Sequence, residues 1–285
     1  MEIILASEMG FCFGVRRAVE IMEEAVQDRG EMVSLGSVVH NPQVVGRLKE
    51  QGLDVVATID EVAAKPVAIT AHGVGEQVIR QLESRGVPII DTTCPIVTRA
   101  QQWAKRLVED GFAVIVFGDP KHKEVKGILG WAEGKAFAVP RIEDIDTLPD
   151  DIPSRVGVLS QTTETEGHFA EFVRQLLERR MDHISELRVI NTLCNATTSQ
   201  QAAAEELAHK VDLMIVIGGR ESANTRHLAE VAREQGCKTY HVESEADIRR
   251  EWLAGCGRVG VTAGASTPDD AVQAVVARLR ELAPA

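Results

Sequence analysis

The sequence lacks an excess of basic residues, a long apolar run and any Cys-x-x-Cys pair. Each absence removes a class of function. With 31 Lys and Arg against 43 Asp and Glu, the net charge is −12. That balance argues against non-specific binding to nucleic acid or to an anionic membrane. A small anionic substrate stays open, provided its site is locally electropositive. The longest apolar stretches, near 112–117 and 213–217, are far too short to span a bilayer. Met1-Glu2-Ile3-Ile4-Leu5 carries no basic segment leading into a long apolar one, so no signal peptide is expected. The chain therefore reads as cytoplasmic. Without a Cys-x-x-Cys pair, zinc-ribbon and ferredoxin ligand patterns are missing. Five cysteines are nevertheless present. In a cytoplasmic protein they point to metal or redox chemistry before disulfides.

Hydrophobic residues make up 44% of the chain and charged residues 26%, an ordinary globular balance. Short β-branched runs alternate with amphipathic stretches. Val15, Ala18, Val19, Met22 and Val26 share one helix face. Val33–Leu35, Val114–Phe117 and Met214–Ile217 read as buried strands. The alternation predicts an α/β protein with parallel sheets.

One unit recurs three times. Counting 24 residues on from Cys12, Cys94 and Cys194 gives Gly36, Gly118 and Gly218, each closing an apolar strand. Twenty-eight residues on lie His40, His122 and Ser222; thirty on lie Pro42, Glu124 and Asn224. A second strand recurs in Val67–His72, Val156–Thr162 and Val259–Ser266, with a register uncertain by one residue. A helix follows each, then a strand entering the next cysteine. The third unit has no such strand after its last helix, Ala271–Leu282, whereas Ile3–Ala6 enters Cys12. The N-terminal strand is thus expected to complete the third unit. The repeats fall at 14–96, 97–193 and 194–285, the last completed by 1–13. They are expected to form three similar α/β domains in a pseudo-threefold trefoil around a central cavity, with the three cysteines facing the axis.

Three thiolates on one axis suit zinc or an iron–sulfur cluster, and spacing alone does not choose between them. The contrary reading makes the cysteines buried fillers. Cys237 and Cys256 fall outside the repeat register and read as structural. The loops expected near the axis carry His40, His72, His122, Gln161-Thr162-Thr163, Ser222-Ala223-Asn224 and Ser266. Several precede helices, where Ser222, Asn224, Ser266 and Thr267 suit N-caps and Pro268 the first turn. Helix N-termini with imidazoles suit a phosphate or diphosphate. Glu124 is the lone carboxylate among these positions and suits a proton carrier. His168, His183, His209, His227 and His241 read as ordinary surface or core histidines.

Taken together, Gly10-Phe11-Cys12-Phe13-Gly14-Val15, Val39-His40-Asn41-Pro42, Ala71-His72-Gly73-Val74, Asp91-Thr92-Thr93-Cys94-Pro95, His122-Lys123-Glu124-Val125, Gln161-Thr162-Thr163, Cys194-Asn195-Ala196-Thr197 and Gly264-Ala265-Ser266 resemble the 4-hydroxy-3-methylbut-2-enyl diphosphate reductases of the non-mevalonate isoprenoid pathway. The resemblance covers nearly the whole chain. It implies one 4Fe–4S cluster on Cys12, Cys94 and Cys194 with one open iron. A 3Fe–4S form would use the same ligands. It implies that His40, His72, His122, Ser222, Ala223 (through its backbone), Asn224 and Ser266 bind the allylic diphosphate. Glu124 matches the family's proton donor, and Thr162 the threonine that orders the hydroxyl. Ferredoxin or flavodoxin is the implied electron donor. Two residues depart from the family pattern. Ala223 stands where serine or glycine is common, and Lys123 where proline is common. Two other classes fit the three cysteines: a zinc-dependent hydrolase, and a non-catalytic iron–sulfur sensor or phosphate-binding module.

Overall fold

A computed structural model describes residues 1–39 and 41–283; His40 lies outside them. Among the described residues the chain forms twelve strands and nine α-helices, joined by short 3₁₀ turns. In chain order they are β1 (Glu2–Leu5), α1 (Phe13–Arg29), β2 (Met32–Leu35), α2 (Pro42–Glu50), β3 (Leu53–Val56), β4 (Val67–Ile69), α3 (Glu76–Ser84) and β5 (Ile89–Asp91). Next come α4 (Pro95–Glu109), β6 (Ala113–Phe117), α5 (Lys123–Trp131), β7 (Ala136–Val139), β8 (Arg155–Ser160), α6 (Glu166–Arg180) and β9 (Glu186–Val189). The chain continues through α7 (Asn195–Ala208), β10 (Leu213–Ile217), α8 (Ala223–Glu234), β11 (Lys238–Val242), β12 (Arg258–Ala263) and α9 (Asp269–Leu282).

The strands form three four-stranded parallel sheets, ordered β3-β2-β4-β5, β7-β6-β8-β9 and β11-β10-β12-β1. The expected α/β class of three similar repeats is borne out. The first strand pairs with the last, Glu2 opposite Arg258 through Leu5 opposite Val261. β1 thereby takes the place that β5 and β9 hold in the other sheets. The structure also fixes the register of the second recurrence. The N–H groups of Gly73, Glu164 and Thr267 donate to the carbonyls of Thr70, Gln161 and Gly264. Ala71, Thr162 and Ala265 are therefore equivalent, as are His72, Thr163 and Ser266.

By packing, the described chain divides into two compact units. One comprises Met1–Arg16, Val39–Arg47 and Asn195–Ala285, and contains the β11-β10-β12-β1 sheet. Its central strand β10 is fully buried. Leu213, Ile215 and Ile217 pack with Val259, Val261 and Val275 on one face, while Met214 and Val216 pack with Leu207 and Leu228 on the other. Cys256 and Cys237 are partly buried against these two cores. The second unit, Arg17–Val38 with Leu48–Cys194, contains the other two sheets. There β6 is the fully buried centre, with Val114 and Val116 against α4 and α5, and Ile115 and Phe117 against Phe172 of α6. Apolar burial on both faces of a strand is what a parallel sheet covered by helices requires. No helix among the described residues is long and apolar enough to cross a membrane.

Gly36, Gly118 and Gly218 each donate their N–H to the carbonyl at the end of the neighbouring edge strand, Val56, Val139 and Val242. A side chain there would collide: a Cβ on Gly218 would stand 2.5 Å from Thr225 Oγ1, and one on Gly118 2.7 Å from Gln161 Cβ. The chain turns into the following loop directly beneath other side chains, and only glycine leaves the room.

A second pair of glycines sets how closely helix and sheet approach. Gly157 in β8 faces Leu107 of α4, and Gly260 in β12 faces Leu207 of α7. Each leucine lies thirteen residues beyond its cysteine. A Cβ on Gly157 would come within 2.6 Å of Leu107 Cδ1. Gly157→Ala is therefore expected to destabilise the protein by about 1–3 kcal/mol through overpacking. Gly167→Ala, with open space around it, should be neutral or slightly stabilising. Denaturant unfolding of the two variants checks this.

Candidate active site

The three repeat cysteines are placed by one recurring backbone bond. The N–H of Cys12 donates to the Ala265 carbonyl at 3.1 Å, that of Cys94 to Ala71 at 3.0 Å, and that of Cys194 to Thr162 at 2.9 Å. Each acceptor lies two residues beyond the carboxyl end of a central strand. Each cysteine is half-buried, is in no disulfide and immediately precedes a helix: α1, α4 or α7. The helix starts present N–H groups to sulfur: Val15 N–H lies 3.5 Å from Cys12 Sγ, and Ile96 and Val97 N–H groups reach Cys94. Buried threonine hydroxyls two residues before the second and third cysteines tie those approaches down. Thr92 Oγ1 donates to the Ile69 carbonyl and Thr192 Oγ1 to the Ser160 carbonyl, at 2.5 and 2.7 Å.

In the larger unit, Glu124 lies in the first turn of α5 and is only 3% exposed. Its carboxylate is clasped by one residue. Thr162 donates its backbone N–H to Oε1 at 2.6 Å and its hydroxyl to Oε2 at 2.8 Å. His122 is the N-cap of the same helix; its Nδ1 accepts the Glu124 N–H at 3.2 Å. The His122 ring stands edge-on to that of His72, with centroids 5.5 Å apart. Four residues expected to serve the site, His72, His122, Glu124 and Thr162, are thus brought together. Lys123 is half-buried; a Cβ on Gly36 would meet its Nζ at 2.9 Å, and burial pushes its ammonium pKa down. Its presence in place of proline does not loosen Glu124, whose pose is set from the other side by Thr162.

Burial pushes the Glu124 carboxyl up to about 7, helped slightly by the Glu164 charge and opposed by the two bonds from Thr162. The group thus holds a proton near neutral pH. Burial also raises the Cys94 thiol, opposed by the helix N–H groups; the Cys194 sulfur and the Glu124 carboxylate add to the rise. Two half-buried sulfurs and a buried carboxyl therefore share one electrostatic neighbourhood. As thiolates the sulfurs repel one another there until a cation joins them. Soft donors at helix N-termini, short of positive charge, fit an iron–sulfur cluster in their chemistry. Among the described residues, no three His, Cys, Asp or Glu side chains form a preassembled site for a single metal ion.

In the other unit, Ser222 caps α8, its hydroxyl accepting the Thr225 N–H at 3.3 Å. Ala223 opens the helix, buried, and Asn224 follows at 4% exposure. Asn224 is inside the helix rather than at its cap; its Nδ2 donates to Gln200 Oε1 at 3.0 Å. Ser266 is half-buried beside Ala265. Thr267 does not cap α9: its hydroxyl donates to the Ile217 carbonyl at 3.0 Å, and Pro268 stands at the N-cap, one residue before the first turn. Gln101, Gln200 and Gln201 are buried amides that the sequence reading did not single out. A signal existed for two of them, since Gln101 and Gln201 each lie seven residues beyond a repeat cysteine.

A three-sheet parallel α/β protein with a half-buried free cysteine between an edge strand of each sheet and the helix that follows, and a clasped acid in the electrostatic surroundings of Cys94, has the parts of a redox enzyme. The chain belongs to the LytB family: the family model described as LytB protein matches residues 3–280. It is 44% identical over 282 residues to the 4-hydroxy-3-methylbut-2-enyl diphosphate reductase of Dehalococcoides mccartyi (strain CBDB1), covering 99% of both chains. It is 42% identical to the reductase of the same name from Geobacter sulfurreducens, covering 99% of this chain and 98% of the other. The solved E-1-hydroxy-2-methyl-but-2-enyl-4-diphosphate reductase of Plasmodium falciparum superposes with a TM-score of 0.90 at 26% identity, over 98% of this chain and 87% of that one. A second solved (E)-4-hydroxy-3-methyl-but-2-enyl diphosphate reductase, described as the terminal enzyme of the non-mevalonate pathway, gives 0.70 at 37% identity, covering 99% and 100%.

The raised Glu124 pKa has a sign for stability. Its folded pKa lies above the unfolded one, so its contribution is full below about pH 4.5 and is lost as pH rises through about 7. Glutamine fits the same clasp, because Thr162 Oγ1 can accept from the amide instead of donating. Glu124→Gln should therefore stabilise the metal-free chain by an amount that grows by roughly 2–3 kcal/mol between pH 5 and pH 8. Urea unfolding at the two pH values measures it; a pH-independent difference would contradict the shift.

Proposed function

We propose that this chain reduces 4-hydroxy-3-methylbut-2-enyl diphosphate to isopentenyl and dimethylallyl diphosphates. Two electrons and two protons replace the allylic hydroxyl, which leaves as water. The single observation that carries the reading is the Glu124–Thr162 clasp. It is a buried carboxyl, protonated near neutrality, in the electrostatic neighbourhood of Cys94 and Cys194. The names of the relatives supply the substrate.

Cys12, Cys94 and Cys194 would hold the cofactor. A 4Fe–4S cluster on three cysteines supplies electrons and, at its open iron, a Lewis acid for the hydroxyl oxygen. Glu124 holds the proton that the departing oxygen needs. The Thr162 hydroxyl, already bonded to Glu124, would pass that proton and orient the substrate hydroxyl. His72, His122, Ser222, Asn224 and Ser266, the Ala223 backbone N–H and His40 are assigned to the diphosphate. Imidazoles and the α5 and α8 N-termini suit an anion without a lysine-rich cleft, consistent with the net charge of −12. Fixing the diphosphate orients the five-carbon chain, an effect worth up to about 7–11 kcal/mol in ideal cases. The electron donor is ferredoxin or flavodoxin, and the chain is a cytoplasmic enzyme. The repeat boundaries proposed are 14–96, 97–193 and 194–285 with 1–13.

Anaerobic purification with iron, sulfide and zinc analysis, followed by turnover with a strong reductant, tests the reading. Iron with equal sulfide and product formation is expected. Zinc without sulfide would make the chain a hydrolase, and a cluster without turnover would make it a sensor.

Two variants sharpen this. Glu124→Gln should keep its iron and bind substrate while losing about 10²–10⁴-fold in turnover. In the unmodified enzyme, turnover should fall as pH rises past about 7, where the Glu124 proton is lost. Cys194→Ser should lose its iron; an unchanged iron content would contradict the ligand assignment.

A further inference from the structure

Gln200 lies on α7 and is 4% exposed. Its Nε2 donates to the Gly10 carbonyl at 2.8 Å, and its Oε1 accepts from Asn224 Nδ2 at 3.0 Å. Chemistry fixes which amide atom is which. A backbone carbonyl only accepts, so Gln200 must turn its NH₂ group to Gly10. Its oxygen then faces Asn224, which must answer with its own NH₂ group. Asn224 is thereby held in one of its two amide orientations. In that orientation Asn224 Oδ1 is buried with no hydrogen-bond partner among the described residues. A buried polar atom without a partner asks for a ligand or an ordered water.

The repeat explains why Asn224 needs this support. Asn224 occupies the register of Glu124, and Ala265 that of Thr162. Glu124 is fixed by the Thr162 hydroxyl; Ala265 has none to offer. The support comes instead from α7, and it reaches the loop two residues before Cys12, where Gly10 N–H is itself bonded to the Ala263 carbonyl. One side chain ties the Cys12 loop to the start of α8.

We infer that Gln200 is a positioning residue for substrate binding: it locks the Asn224 amide so that the second N–H of Nδ2 donates to a diphosphate oxygen, while Oδ1 accepts from a donor such as an ordered water. This rests on the assignment of Asn224 to the diphosphate.

The test uses the anaerobically purified holoenzyme, with 4-hydroxy-3-methylbut-2-enyl diphosphate as substrate and inorganic diphosphate as competitive inhibitor. Gln200→Met keeps the side-chain length and removes both bonds. KM and the inhibition constant should each rise about ten-fold, with kcat within about two-fold and iron content unchanged. If Gln200→Met does not fold, Gln200→Asn, one methylene shorter, breaks the same bonds and is read in the same way. In an Asn224→Ala background the Gln200 substitution should leave KM where Asn224→Ala put it. Additive increases in the double variant would overturn the inference. So would an unchanged KM in the Gln200 variant when Asn224→Ala alone raises it. If Asn224→Ala leaves KM unchanged, the assignment of Asn224 itself falls, and the inference with it.

Discussion

The bond from each cysteine N–H to a carbonyl just past a central strand is the constraint on which the site depends. It holds the chain in sheet-like register for a few residues beyond the last ladder bond, to Ala71, Thr162 and Ala265. The sulfur is therefore delivered to the carboxyl end of the sheet, and the helix must begin at once. Two consequences follow. The N–H groups of the helix's first turn, which have no intrahelical partner, can turn toward sulfur. And the loop beyond the neighbouring strand, Gly118 to His122 or Gly218 to Ser222, arrives at the same end, as parallel sheets require.

Backbone equivalence among the repeats is close, but the chemistry is not shared out evenly. His122 and Ser222 sit in matching turns, each N–H bonded three residues back, and each caps the helix that follows. Two residues later one repeat has a carboxyl and the other an amide. A second buried carboxyl at Asn224 would add negative charge where a diphosphate is proposed to lie, so a neutral side chain there is what the electrostatics favour. Divergence at one register confines the acid to a single position.

Much of the architecture was legible because the glycines and cysteines recur at a fixed spacing, and glycine after a buried strand has a steric cause. The pairing of the N-terminal strand with the third sheet followed from a strand missing at the other end of the chain. The edge strand Leu53–Val56 was not legible. It is short and largely exposed or half-exposed, so its hydrophobic pattern is too weak to read. In the site, Glu124 and Thr162 were visible as motif members, 38 residues apart; that one grips the other by both N–H and hydroxyl is a product of tertiary structure. Gln200 sits in a run of polar helical residues, 197–201, with nothing local to mark it. Its significance comes from partners at Gly10 and Asn224. The capping of α9 was misread because Thr267 spends its hydroxyl on the Ile217 carbonyl instead.

The ladder between β1 and β12 also dictates an order of assembly. During synthesis Glu2–Leu5 emerges well before its partner, Arg258–Val261, which follows about 250 residues later. The sheets built on β2 and β6 use only strands that leave the ribosome before Asn195, so they are able to form while synthesis continues. The last sheet must wait, and its closure spans nearly the whole chain, the kind of non-local pairing that slows folding. Until then the approach to Cys12 is unpaired. Delivery of any metal that needs all three sulfurs therefore waits on this late pairing.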